Sequence, residues 1–533
     1  MKIFYRFSVI TVLLISISFS SLLATPSDGI TKTGPSKSLI VQTKMGKVRG
    51  TTEKQVSVWR GIRFAKAPVG NLRFRAPETP DAWVGVQDAL EFGSSAPQTE
   101  SSLSGDEPQS EDCLFLNIWS PAADDKKRPV MFWIHGGGFE IGTGSSSLYN
   151  GANLANNGDV VVVTTNYRLG TLGFLYFDNT KDLKGEFENN LGIRDQIAAL
   201  NWVKENIAAF GGDPERVTIF GESAGGTSVQ TLLATPSAKG LFKGVIAESG
   251  PAAILWQPET AKSITKEYLE ILDIPEDSLH LLKKIPLETL KGAQLKLRDF
   301  LTDKTVQKVF SPTIDGSLLT TDISACLNSA QSGNIALMLG TNKDESTMFA
   351  SKKLKMVPTS SEGLEKEFLY VLSPEDKKRV TSAYSAYPNK RGILDLVTDA
   401  VFRIPAIRVA ECQSKVAPVY MYRFDWSSFA LNLTGLRSFH GLEIPFVFGN
   451  SDGRIGRLLK IIASKRLIKS LSGSMQQAWV NFARYGNPNG EEAGAWKAFD
   501  TNERATMIFN KRSKLVLDPD HLQRRAWEGV RYY

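Results

Sequence analysis

The sequence predicts an α/β protein: a large, mostly parallel central sheet flanked by helices, with helical insertions. Three observations carry that reading. Short apolar runs bounded by Pro, Gly or Asp recur at wide spacing, as buried strands do. A segment with helical periodicity lies between two of them. One run then passes through a glycine-flanked turn straight into another helical pattern, and strand, helix, strand, tight turn, helix is the order of a parallel α/β sheet.

Taken in order, Lys2 and Arg6 precede an apolar run from Phe7 to Ala24, after which the chain turns polar. A basic start, an apolar stretch and a small residue at its end describe an export signal over residues 1–24. The run approaches the length of an uncleaved anchor, but its serines and terminal position favour a signal. The expectation is an exported protein, secreted or periplasmic, with one folded domain over 30–533. Leu39 to Arg49 alternates apolar and polar residues and reads as an antiparallel hairpin continuing through Val56–Trp59. Leu114–Trp119, Val130–Ile134 and Val160–Thr165 are the next strands. Asn190–Ala209 places Leu191, Ile197, Leu200, Val203 and Ile207 on one helical face, and Phe210-Gly211-Gly212-Asp213-Pro214 stops it. Val217–Phe220 is a strand, and Ala224–Leu233 is helical. Pro258–Lys308, rich in Lys, Glu and Leu, reads as helices outside the sheet. Ala336–Leu339 and Val419–Phe424 are further strands.

Composition excludes several function classes. Hydrophobic residues make up 42% and charged residues 22%, which suits a globular protein with a sizeable core. The net charge of +7 is thin over 533 residues, and no dense Lys/Arg block with interleaved aromatics occurs, so nucleic acid is not an expected partner. After signal removal no segment is long and apolar enough to span a membrane. Of the cysteines Cys113, Cys326 and Cys412, at least one stays unpaired; Cys326 and Cys412 are able to pair, and spacing does not decide it. None sits in a metal-ligand pattern, so neither metal nor cofactor is expected.

The chemistry centres on Gly221-Glu222-Ser223-Ala224-Gly225. Between a strand and a helix the chain must turn so sharply that the serine is strained, and the flanking glycines avoid clashes. Ser223 is therefore the candidate nucleophile. His135-Gly136-Gly137-Gly138-Phe139 follows a strand, and side-chain-free N–H groups there suit a developing oxyanion. Gly137 and Gly138, with Ala224, are the candidate oxyanion hole. Of four histidines, His135 precedes the serine and reads as support for the glycine loop, His280 as peripheral, and His521 as part of a charged terminal helix. His440, in a loop before Ile444–Phe448, is the candidate base. The acid belongs after a strand between the two, where Asp344 and Glu345 are both available.

These residues together resemble the type-B carboxylesterase family, the α/β-hydrolases that include cholinesterases and bacterial esterases of the p-nitrobenzyl-esterase kind. The likeness spans nearly the whole chain after the signal. It includes Gly61-Ile62-Arg63-Phe64-Ala65, Arg73-Phe74, Glu111-Asp112-Cys113-Leu114, Asn166-Tyr167-Arg168-Leu169-Gly170, Lys343-Asp344-Glu345, His440-Gly441-x-Glu443 and Trp479-x-x-Phe482-Ala483-Arg484. The resemblance implies Glu345 as the acid, and Glu222 and Glu443 as a buried carboxylate network behind the site. It implies a Ser-His-Glu triad and an acyl-enzyme mechanism on neutral short-chain or aromatic esters, with a small-molecule ester as partner and a monomer or small homo-oligomer as the working form. A lipase or carbamate hydrolase on the same site is the alternative, and a neuroligin-like adhesion protein the non-enzymatic one, although that branch typically lacks the nucleophile. Two departures stand out. The family usually pairs the cysteine of its Glu-Asp-Cys-Leu run with an upstream one, but Ala96 occupies that place, so Cys113 is expected to be a free buried thiol. Ser101–Glu111 holds no aromatic residue to cradle choline, and Met348 stands where another would help, so acetylcholine is not the expected substrate. Asn432-Leu433-Thr434 is a glycosylation sequon, relevant only to a chain passing through an endoplasmic reticulum.

Overall fold

Strands of Val, Ile and Phe without a polar face need cover on both sides. Every residue of β6 (Arg128–Ile134), β7 (Val161–Thr165) and β9 (Gly244–Glu248) is accordingly buried. The structure, a computed structural model, describes residues 39–530 apart from 100–106, 178–184, 252–254, 304–308, 321–322, 324–331, 352–353, 451–463 and 491–494. The signal over 1–24 and the Cys326 half of the Cys326–Cys412 pairing lie outside these residues.

The remaining strands are β1 (Leu39–Gln42), β2 (Lys47–Glu53), β3 (Val56–Arg63), β4 (Val86–Asp88), β5 (Phe115–Ser120), β8 (Gly212–Glu222), β10 (Ala336–Asn342), β11 (Val419–Phe424), β12 (Ala505–Phe509) and β13 (Lys514–Leu517). They run in the order β1-β2-β3-β5-β7-β6-β8-β9-β10-β11-β12-β13, with β4 beside β2. From β7 to β12 every pair is parallel. The expected hairpin is present as the antiparallel meander β1-β2-β3.

One boundary differs from the sequence reading. β8 begins at Gly212 and runs through Pro214, five residues before the predicted Val217 start. The β6–β8 register jumps from Arg128↔Gly212 to Val130↔Val217, so Pro214 falls in an irregularity where no ladder N–H is required. The helix predicted over Asn190–Ala209 is Leu191–Asn206, tightening to a 3₁₀ turn over Ile207–Phe210. The insertion holds helices Pro258–Ile271 and Leu287–Asp303.

Alternate strand residues feed opposite faces. Val130, Phe132 and Ile219 pack with Ile197, Leu200, Val229 and Leu232 on one side. Met131, Trp133 and Phe220 pack on the other with Met475, Trp479 and Phe482 of the helix Lys465–Tyr485. A third core joins Val380, Leu396, Val397 and Ile404 to the C-terminal Trp527. No helix among the described residues is long and apolar enough to cross a membrane.

Candidate active site

The parallel strands bring their C-terminal ends to one edge, the usual place for ligands in such a sheet. Ser223 follows β8 there, at φ 57° and ψ −120°, a conformation that L residues rarely adopt. Two backbone bonds hold it: its N–H donates to Glu248 O at 2.9 Å, and its carbonyl accepts the Thr227 N–H at 2.9 Å. The flanking glycines are forced by proximity. A Cβ on Gly225 would lie 2.0 Å from Ile134 O, and one on Gly221 2.6 Å from the same atom. Ala224 opens the helix Ala224–Ala234, so its N–H lacks an intrahelical acceptor and sits at the positive helix end.

The glycine loop leaves the end of β6 alongside. Gly137 has φ 110°, and its carbonyl accepts from the Glu140 and Ile141 N–H groups at 3.1 Å each. A Cβ at Gly137 would meet Ile141 O at 2.1 Å, whereas Gly138, at φ 65°, faces open space. Gly136, to which the sequence reading gave no role, lets the loop lie against the nucleophile turn: its Cβ would stand 2.6 Å from Glu222 O and 3.1 Å from Ser223 Cβ. His135 supports the loop as expected. Its Nδ1 lies 2.8 Å from Gly136 O, its ring stacks on Tyr167 at 4.4 Å, and the Tyr167 hydroxyl donates to His135 O. Burial pushes its imidazole down to about 4, so it is neutral. Gly170 N–H donates to Phe139 O at 2.7 Å, and Arg168 makes a buried two-pronged contact with Asp195. The Asn-Tyr-Arg-Leu-Gly run thus braces the loop.

His440 and the two acidic candidates meet at the ends of β10 and β11. Glu345 is fully buried; its Oε2 lies 2.7 Å from His440 Nδ1, and its Oε1 accepts the Asn342 N–H at 2.6 Å. Asp344 points elsewhere. It pairs with Arg391 at 2.6 Å and accepts the Ser438 N–H at 3.3 Å, while the Ser438 hydroxyl donates to Phe424 O. Asp344 therefore pins the His440-bearing loop to the sheet. His280 and His521 are exposed, far in role from this cluster.

Glu222 and Glu443 are both buried but differ in position. Glu443 accepts from Asn342 Nδ2, and the backbone N–H of the same residue donates to Glu345, so Asn342 connects the two carboxylates. Glu222 Oε1 stands 3.0 Å from His440 Nε2, at the nucleophile edge rather than behind the imidazole, because Glu222 directly precedes Ser223. His440 Nε2 has no hydrogen-bond partner among the described residues. Burial opposes the His440 cation, but Glu222 and Glu345 outweigh it and raise the imidazole to about 9. Burial raises Glu222 to about 7, His440 opposing, and burial raises Glu248 to about 8 against the 2.8 Å bond from Trp479 Nε1. Glu443 is pushed well up, first by burial and then by Glu222, Glu345 and Glu248.

A buried carboxylate–imidazole pair beside a strained serine and a glycine loop is the equipment of acyl transfer. The model of the carboxylesterase family matches residues 37–525. The chain belongs to the carboxylesterase family. It is 41% identical over 490 residues to the para-nitrobenzyl esterase of Bacillus subtilis, covering 91% of this chain and 98% of that one. It is 34% identical over 481 residues to a human cocaine esterase, covering 84% and 83%. A thermophilic pNB esterase structure superposes with a TM-score of 0.82 at 40% identity, over 91% of this chain and 99% of that chain. The protein is thus a carboxylic ester hydrolase with the α/β-hydrolase fold.

In this carboxylesterase Cys113 is free and buried, as the missing upstream cysteine implied, and burial pushes its thiol far up, out of reactive range. Its motif neighbours are structural: Glu111 pairs with Arg73 and Asp112 with Arg63, each through two hydrogen bonds. Phe349 and Phe402 pack on His440 and were not legible beforehand, since Phe402 is 38 residues away in sequence and only the tertiary fold brings it near.

Proposed function

We propose that this carboxylesterase cleaves neutral short-chain or aromatic esters through a Ser223–His440–Glu345 triad. The observation that carries the reading is the 2.7 Å contact of Glu345 Oε2 with His440 Nδ1, on the same sheet edge as the strained Ser223. With Nδ1 engaged by the carboxylate, Nε2 is the nitrogen left to take the proton once the imidazole is neutral. In the proposed sequence Ser223 Oγ attacks the ester carbonyl while His440 Nε2 takes its proton. The oxyanion is held by the N–H groups of Gly137, Gly138 and Ala224. His440 then gives the proton to the leaving alcohol, and water, activated by the same base, releases the acid and frees Ser223. The relatives named above, a nitrobenzyl esterase and a cocaine esterase, support esters with aromatic groups.

Rapid mixing with p-nitrophenyl acetate tests the mechanism. A burst of one p-nitrophenol per chain, absent in Ser223→Ala, is expected; a burst of equal size in Ser223→Ala would overturn the assignment. Turnover across p-nitrophenyl esters of rising acyl length tests the substrate class: it should peak at short acyl groups without needing a lipid interface. The basic-then-apolar pattern of residues 2–24 further supports export, for which the N-terminal mass of protein recovered outside the cytoplasm is the check.

A further inference from the structure

His440 lies against two phenyl rings. Its centroid is 5.0 Å from that of Phe349 and 5.0 Å from that of Phe402, tilted by 47° and 46°, while the two phenyl planes lie 8° apart at 6.1 Å. Phe349 comes from the short helix that follows Glu345. Phe402 comes from an irregular place: Asp399–Arg403 is a π-helical turn set between the α-helices Lys390–Thr398 and Ile404–Gln413. The sequence supplies a cause. Pro405 has no N–H to donate to the carbonyl four residues back, and its ring would crowd that carbonyl in a regular helix. A π-turn absorbs the mismatch and re-aims the side chains on it.

The turn is held from one side and reaches the site from the other. Arg403 and Asp399 form a buried two-pronged pair, at 2.6 Å for each bond. The Tyr384 hydroxyl donates to Asp399 Oδ2 at 2.7 Å and accepts from Trp527 Nε1 at 2.8 Å, so the chain of contacts begins near the C-terminus. On the site side, Thr398 Oγ1 accepts the N–H of Ser346, the residue after Glu345, at 3.1 Å. The helix thus holds the residue after the acid through Thr398 and touches the base's ring through Phe402.

We propose that the π-turn 399–403 is a positioning device for the base, in which Phe402 with Phe349 forms an aromatic wall against one side of the His440 ring and the Trp527–Tyr384–Asp399–Arg403 chain sets that wall. The inference rests on the reading of His440 as the base. Each time His440 takes a proton it becomes an imidazolium, and aromatic rings attract a cation while holding the ring in line with Ser223. The charged groups facing the imidazole are Glu222 after β8, Glu345 after β10 and Glu443 on its own loop, with Glu248 beyond them and the Asp399–Arg403 pair behind Phe402; the substitutions below retain all of them.

Three variants test the proposal: Phe402→Met, which keeps bulk but loses the ring face; Phe402→Tyr, which keeps the face; and Tyr384→Phe, which breaks the chain at a distance. Circular dichroism confirms folding, and p-nitrophenyl acetate kinetics are followed against pH. Phe402→Met is expected to lower kcat about threefold to tenfold with KM within about twofold. With a less favoured cation, its acid limb of kcat/KM should move to lower pH by about half a unit. Phe402→Tyr should stay near the parent, and Tyr384→Phe should move kcat in the same direction by about twofold to threefold. The proposal is overturned if Phe402→Met matches the parent, if Met and Tyr fall equally with the acid limb unmoved, or if Tyr384→Phe leaves kcat unchanged. Failure of the triad reading is distinct: it would remove the burst from the parent protein itself.

Discussion

The Ser223 side and the His440 side of this site are built by different means. Around Ser223 the geometry is set by backbone against backbone: strand ends, a positive φ, and glycines whose Cβ atoms would overlap Ile134 O or Ile141 O. Around His440 it is set by side chains from separate segments. Asn342 joins Glu345 to Glu443, Asp344 pins Ser438, and two phenylalanines pack against one side of the ring. A backbone contact leaves no room for adjustment, whereas side-chain contacts are lost one at a time. Substitutions on the first side should therefore act on folding as all-or-none, whereas on the second side folding survives and, Glu345 itself apart, the supporting side chains should act by degrees.

The largest effect expected is on chemistry at the base. Glu345→Gln keeps the shape but disfavours the tautomer and the imidazolium, so kcat should drop about 10³- to 10⁴-fold with folding intact; stopped-flow or steady-state kinetics on a p-nitrophenyl ester measures it. Next is Gly225→Ala, whose new methyl would sit 2.0 Å from Ile134 O. Neither β6 nor the helix start can yield without parting β6 from β8, so a cost of about 4 kcal/mol or more and loss of soluble protein are expected. A folded, half-active Gly225→Ala would break the contrast. Asp344→Asn should be graded: it removes the anion that pairs with Arg391 and accepts from Ser438, lowering kcat about tenfold and stability by about 2 kcal/mol, read from the same assay and a urea melt.

How far the site was legible follows the same division. Ser223, the glycine loop and the strand before each occupy contiguous stretches, so local pattern was enough. The parallel core strands were visible as apolar runs for the same reason. The choice of Glu345 over Asp344 was not decided by spacing, because both close the same strand; the resemblance favoured Glu345, and the bond to Nδ1 agrees with it. Phe402, Asn342 and the brace through Trp527 left no local signal, since each acquires its place from packing between segments far apart. β8 was read short because Pro214 marks a break in an ordinary strand, and only the β6 register reveals the irregularity that accepts it. The helix Lys465–Tyr485 went unread although Leu471, Met475, Trp479 and Phe482 share one buried face.

The smallest expected effect concerns stability against pH. Burial holds Glu248 at about 8, above its ordinary 4.5, so the native state keeps a proton that the unfolded chain releases. The stability contributed is complete below about pH 4.5 and is lost as pH rises towards about 8. Glu222, raised to about 7, acts in the same direction. Glu248→Gln can still accept the Trp479 N–H, and it should flatten the fall in melting stability between pH 5 and pH 8.5 while leaving the activity near the parent's. An unchanged slope in thermal melts would show that Glu248 is ionised in the folded protein.

The proposal that Ser223 is the activated nucleophile and His440 its base is open to covalent labelling by a neutral organophosphate, followed by peptide mass spectrometry across pH. One phosphoryl group per chain is expected, on Ser223, with a labelling rate that rises as His440 loses its proton and that falls steeply in His440→Gln. Labelling at another residue, or at Ser223 with a rate indifferent to His440→Gln, would contradict it.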